Sequence, residues 1–158
     1  MYYGEPNLGG LTLKIFAGSD HGGLSLKKHL LKRLQEWGHE VVDVGTYSFE
    51  SCDYPDYAHA VAEKVLAEPE AKGLLVCGTG IGISVAANRH PGIRAALCHC
   101  SVEAKLAREH NNANILALGG RIIGDILAEE ILQMFLNSEF TGGRHSRRVE
   151  KIEYSENQ

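Results

Sequence analysis

The chain has 158 residues, of which 44% are hydrophobic and 23% charged, and it carries a formal charge of −4. This length and balance suit one globular domain with a substantial core, and the acidic balance argues against a general nucleic-acid binder, which presents a basic face. No apolar run approaches the ~20 residues needed to cross a bilayer, and residues 1–12 lack the cationic start and apolar core of a secretory signal.

The first expected strand is Leu13–Gly18, ending at Ser19-Asp20-His21-Gly22-Gly23. A helix follows to about Trp37, with Leu26, Leu30, Leu31 and Leu34 at helical spacing and Gly38 as its stop. Glu40–Val44 reads as the second strand. The turn-rich stretch Gly45–Asp53 leads to a helix after Pro55, with Ala58, Val61, Ala62 and Val65 on one face. Proline is tolerated in that first turn because its missing N–H has no helical partner anyway. Leu74–Cys77 is the third strand, followed by a glycine-rich turn and a helix over Ser84–Arg89. Ile93–Cys98 is the fourth strand, Val102–His110 a charged helix, and Asn114–Leu118 the fifth strand. The last long helix spans Asp125–Leu136, with Ile126, Leu127, Ile131, Leu132 and Phe135 as its expected core face. A basic tail, Arg144–Val149, comes after Gly142-Gly143.

Strands alternating with helices imply right-handed crossovers and a parallel sheet covered on both faces. One domain is expected over 13–152, between an N-terminal extension (1–12) and a C-terminal tail (153–158). Ligands in such folds bind beyond the carboxyl ends of the strands. That rule points to Asp20-His21, Cys77–Gly82, Cys98–Ser101 and Gly119–Arg121.

The four cysteines, at 52, 77, 98 and 100, have no disulfide-framework spacing and suggest a reducing, cytoplasmic setting. Cys98-His99-Cys100 lacks a second Cys or His pair at zinc-site spacing, so it reads as a strand end and no metal is expected.

The glycine-rich turn holds the most chemistry. Gly78, Gly80 and Gly82 stand at alternate positions behind Cys77 and around Thr79. Glycines let a ligand approach the backbone closely, and free N–H groups at a helix start favour anions. The same setting lowers the pKa of a thiol placed at its mouth. A dinucleotide fingerprint needs G-x-G-x-x-G and a later acidic residue at a strand end, neither of which is present. A P-loop would need Gly-Lys-Ser/Thr. A nucleotide-binding module is thus disfavoured, and the turn reads as a nest for a developing negative charge beside a base.

Six motifs in order complete the picture: Asp20-His21-Gly22, Asp53-Tyr54-Pro55-Asp56, Cys77–Gly82, Arg108-Glu109-His110-Asn111, Gly119-Gly120-Arg121 and Gly142-Gly143-Arg144-His145. Together they resemble the ribose-5-phosphate isomerase B family, whose relatives include galactose-6-phosphate and allose-6-phosphate isomerases. The resemblance runs over about Lys14–Ile152. It implies a Rossmann-like three-layer α/β/α sandwich on a five-stranded parallel sheet, with no metal or organic cofactor. It also implies a homodimer, sometimes doubled to a tetramer, with active sites shared between subunits.

The resemblance gives Cys77 the role of proton-transferring base; another branch uses a glutamate four positions on, where this chain has Ile81. Thr79 and the backbone from Gly78 through Gly80 and Ile81 to Gly82 would hold the enediolate oxygens. His110, with Asp20 near, would open the sugar ring, and Tyr54 and Asn111 would touch sugar hydroxyls. His21, Arg121, Arg144 and Arg148 resemble the phosphate set, with His145 a less definite member. Arg147, Lys151, His29, His39, His59 and His90 are read as surface or packing residues, and His99 receives no role. The expected activity is interconversion of ribose 5-phosphate and ribulose 5-phosphate through a cis-enediolate. The alternatives are the same reaction on galactose 6-phosphate or allose 6-phosphate, and a non-catalytic phosphosugar- or nucleotide-binding module.

Overall fold

The computed structural model describes residues 10–154. Most of the expected extension and tail, residues 1–9 and 155–158, lie outside the described residues. The elements run β1 (Lys14–Ser19), α1 (Leu24–Glu36), β2 (Glu40–Asp43), α2 (Tyr54–Ala67), β3 (Lys72–Cys77), α3 (Ile81–Ala87), β4 (Ala95–Leu97), α4 (Ser101–Asn111), β5 (Ile115–Gly119), α5 (Asp125–Asn137) and α6 (Arg144–Glu150). The sheet is fully parallel, in the order β2-β1-β3-β5-β4.

Right-handed crossovers decide which face each helix covers. The chain moves one way from β1 to β2 and the opposite way from β2 through β3 to β4, then turns back to β5. Accordingly α1, α4 and α5 share one core, with Leu30, Leu34, Ala104, Ala107, Ile131 and Phe135. Helices α2 and α3 share the other, with Val61, Val65, Ile83 and Ala87. The strands alternate between the two: Leu74 and Val76 face the first core, Leu75 and Cys77 the second. Each fully buried leucine contributes about 1.5–3 kcal/mol from apolar burial, which makes Leu24, Leu30 and Leu34 the grip of α1 on the sheet.

Between β1 and β3 the following helices leave to opposite faces, α1 to one and α3 to the other. This switch point lies at the ends of the strands carrying Asp20 and Cys77, the place where an open α/β sheet binds its ligand.

Four expectations need correction. Helix α3 begins at Ile81, three residues earlier than its apolar run indicates, because Gly80 takes φ +77° and caps it directly. The basic tail is ordered as α6, packed against α4. On α5 the core face is Ala128, Ile131, Leu132 and Phe135, while Ile126 and Leu127 are exposed. Ala128, Ile131, Leu132 and Phe135 centre one face of the helix; Ile126 points away from it and Leu127 lies on its margin. Strand β4 is shorter than expected, although Asn114 N–H still donates to Arg94 O and Cys98 N–H to Ala117 O at its two ends.

Candidate active site

Three strand ends meet at the switch point. Asp20 N–H donates to Val76 O at 3.3 Å, Gly120 N–H to Cys77 O at 2.8 Å, and Arg121 N–H to Gly78 O at 2.9 Å. The approach needs glycine at position 23, where a Cβ would lie 2.3 Å from Val76 O. Cys77, 4% exposed, ends β3 on the α2/α3 face, and its Sγ accepts the Gly80 N–H at 3.1 Å. Thr79 is exposed above it, its Oγ1 accepting the Ile81 N–H at 3.2 Å.

Around this thiol the structure gathers most of the expected residues. Asp20 is buried and its Oδ1 accepts the Gly23 N–H at 3.0 Å. His21 Nδ1 accepts the Cys52 N–H at 3.2 Å. Tyr54 lies across Gly82, where a Cβ would come within 2.6 Å of the ring. Arg121 is exposed and reaches over Gly22 and Gly78, its guanidinium 3.3–3.4 Å from where their Cβ atoms would stand. A thiol, backbone donors and a guanidinium thus lie together at these strand ends, groups suited to abstracting a proton from an anionic substrate.

His110, Asn111, Arg144, His145 and Arg148 do not join them. They sit where α4 ends, at the opposite, N-terminal end of the strands, because a helix that returns to the start of a parallel strand runs against the strands. The five residues of β5, at ~3.3 Å each, put roughly 16 Å of sheet between the two groups. Asp20 is therefore not near His110 within one chain, contrary to expectation.

The second group is itself well built. The His110 and His145 rings stack at 4.2 Å and 12°. Desolvation, and then the charges of His110, Arg144 and Arg148, hold the His145 pKa below the usual imidazole value. Glu109 O accepts both the N–H and the hydroxyl of Thr141, at 3.1 and 2.8 Å, which fastens the loop before α6 to the end of α4. Buried Arg108 donates to Ala113 O, to Asn112 Oδ1 and to Ser138 O, and stacks on Phe135. Arg144 and Arg148 remain exposed on α6. Arg108 thus holds the scaffold beneath His110.

Other residues behave as packing groups. His29 pairs with Glu129 at 2.6 Å, and His59 with His90 at 2.7 Å. Cys98 is buried, which pushes its thiol up to about 12. Two residues were missed in the sequence: Cys52, whose backbone orients His21, and Lys27, fully buried on α1. The signal for Lys27 was its place among Leu24, Leu30 and Leu34 on the apolar face; Cys52 ends the Tyr47–Cys52 loop expected to shape one end of the pocket, but its link to His21 was not foreseen.

The ribose/galactose isomerase family model matches residues 15–152. Ribose-5-phosphate isomerase B of Escherichia coli is 48% identical over 139 residues, spanning 88% of this chain and 93% of the relative. Ribose-5-phosphate isomerase B of Clostridium thermocellum superposes with a TM-score of 0.87 at 53% identity, over 89% of this chain and 95% of that one. The Mycoplasma genitalium enzyme of the same name, solved with bound ribulose 5-phosphate, superposes with a TM-score of 0.86 at 43% identity, over 90% and 95% of the two chains. On this match of model, sequence and fold, joined to the thiol and the glycine-rich nest, the chain belongs to the ribose/galactose isomerase family.

Proposed function

We propose that the protein is a ribose-5-phosphate isomerase in which Cys77 moves the proton between C2 and C1. The observation that carries this reading is the Cys77 thiol, poised at the end of β3 with the Gly80 N–H on its sulfur. The thiolate takes the C2 proton, the C–H electron pair forms the C1–C2 double bond, and the carbonyl oxygen becomes the oxyanion of a cis-enediolate. Backbone N–H groups between Gly78 and Gly82 and the Thr79 hydroxyl stabilise that charge; each fixed donor contributes about 10²–10³-fold. The thiol returns the proton to C1 while the O2 hydroxyl proton passes to O1, so that O2 becomes the ketone and O1 the hydroxyl. One carbon is oxidised as its neighbour is reduced, so the reaction calls for no external oxidant or reductant.

The second group supplies ring opening and half of the phosphate grip from another copy of the chain. His110 opens the furanose, Asn111 and Tyr54 hold hydroxyls, and Arg144 and Arg148 complete a phosphate site begun by His21 and Arg121. The exposed stripe of α3 supports this: Ile81 and Val85 are 57% and 60% exposed, one turn apart, on a helix that runs from the thiol end toward the His110 end. A two-fold axis across that stripe is self-complementary and brings the thiol end of each chain to the His110 end of the other. Four free cysteines favour a reducing, cytoplasmic setting; separately, among the described residues no helix is long and apolar enough to cross a membrane.

The test is an isomerase assay on ribose 5-phosphate, galactose 6-phosphate and allose 6-phosphate, with the parent and Cys77→Ala. The parent converts the pentose best, and the alanine variant loses turnover while still binding the sugar phosphate. Preference for a hexose phosphate would move the assignment to that sugar. Near-normal turnover by Cys77→Ala would remove the thiol from the mechanism.

A further inference from the structure

Lys27 shares the buried face of α1 with Leu24, Leu26, Leu30 and Leu34, and is itself 0% exposed. Its ammonium donates to Asp43 Oδ1 at 2.6 Å and to Thr46 O at 2.7 Å. Burial pulls its pKa below the ordinary lysine value, and Asp43 opposes that pull. Lys27 is wholly buried while the Asp43 side chain is 28% exposed, and an ammonium so desolvated seldom stabilises a fold more than an apolar side chain of equal volume would. The position therefore calls for an explanation other than stability.

The explanation lies in what the ammonium holds. Asp43 Oδ1 also accepts the Gly45 N–H at 2.9 Å, and the Tyr47 hydroxyl donates to Asp43 O, so both ends of the turn after β2 are tied to one centre. That turn clasps the end of β1 on both sides: Ser19 N–H donates to Gly45 O and Thr46 N–H to Ser19 O, each at 2.8 Å. The next two residues are Asp20 and His21. The same loop returns at Cys52, whose N–H donates to His21 Nδ1. A ring nitrogen that accepts a hydrogen bond bears no proton, so the neutral imidazole carries its proton on Nε2.

We propose that Lys27 is a positioning residue for phosphate binding: it anchors the turn after β2 so that His21 is held as the Nε2–H tautomer, a neutral donor aimed at the phosphate beside Arg121. The inference rests on the proposed function in taking His21 and Arg121 as phosphate ligands. Lys27 touches no substrate and acts only through the turn.

The experiment uses the intact protein, Lys27→Met, and the neutral pair Lys27→Met/Asp43→Asn. In a folded variant of unchanged elution volume, KM for ribose 5-phosphate and the inhibition constant of inorganic phosphate rise together by about tenfold, with kcat changed less than about threefold, the signature of lost uniform binding. Imidazole ¹⁵N spectra, with His21 assigned through His21→Gln, show an Nε2–H ring in the parent and tautomer exchange in Lys27→Met. An Nδ1–H ring in the parent, or a folded Lys27 variant with unchanged KM and phosphate inhibition, overturns the inference. Failure of both Lys27 variants to fold makes Lys27 a folding residue and overturns it too. Arg121→Ala and His21→Gln separate the levels: if neither weakens phosphate inhibition, the phosphate reading itself is wrong.

Discussion

If each site takes Cys77 from one chain and His110 from another, two inactive variants should restore one another. Cys77→Ala and His110→Ala each disable both sites of their own homodimer. In a mixed dimer, one site draws Cys77 and His110 from unaltered positions and the other draws both alanines. An isolated heterodimer should therefore show about 50%, and a random 1:1 mixture about 25%, of parental turnover per chain, from two-fold symmetry alone. The structure makes this a sharp test, because roughly 16 Å of sheet separates the groups, at ~3.3 Å per strand residue. No side-chain movement within one chain closes that distance. The assay is continuous ribulose 5-phosphate formation from ribose 5-phosphate, with heterodimers purified through two different affinity tags after co-expression. Heterodimers no more active than the Cys77→Ala and His110→Ala homodimers would refute the shared site. Active monomers at high dilution would refute it as well.

Gly23→Ala should destabilise the fold by about 1–3 kcal/mol or more, because its Cβ would meet Val76 O at 2.3 Å with backbone on both sides; an unchanged urea midpoint would contradict this. Gly82→Ala meets instead the Tyr54 ring at 2.6 Å, a 40%-exposed side chain that can swing outward, so KM should rise while the melting temperature barely moves. Arg108→Met leaves Ala113 O and Ser138 O without their guanidinium donor; each buried acceptor so stranded costs about 1–3 kcal/mol, read as a lower thermal midpoint. The His39 pKa is lowered by burial, and its Nδ1 accepts the Leu13 N–H at 3.2 Å. Below the unfolded value of about 6.5 the unfolded chain binds the proton first, so stability falls with pH from there down to the folded pKa. His39→Gln should flatten that limb of a urea-midpoint profile, and an unaltered slope would exclude His39 as its source.

Local pattern determined a good deal about this protein. Each strand and crossover helix could be placed because apolar runs and helical spacing reflect burial against immediate neighbours, a short-range property of the chain. Cys77 and the glycines behind it were legible for a related reason: a strand, a tight turn and a helix start are contiguous, so sequence order is spatial order there. Tertiary structure decided what depends on distant segments. Helix α3 starts at Ile81 because Gly80 fits between Leu97 and Leu118, which belong to two other strands. Ile126 and Leu127 are exposed because the phase of α5 follows from the sheet beneath it, not from its own composition. Lys27 is interior because Asp43 and Thr46 O come to meet it from the turn after β2. The motifs containing Asp20 and His110 run in one order along the chain, yet they end at opposite ends of the strands. Parallel strands oblige every connecting helix to run back, and His110 lies at the far end of one.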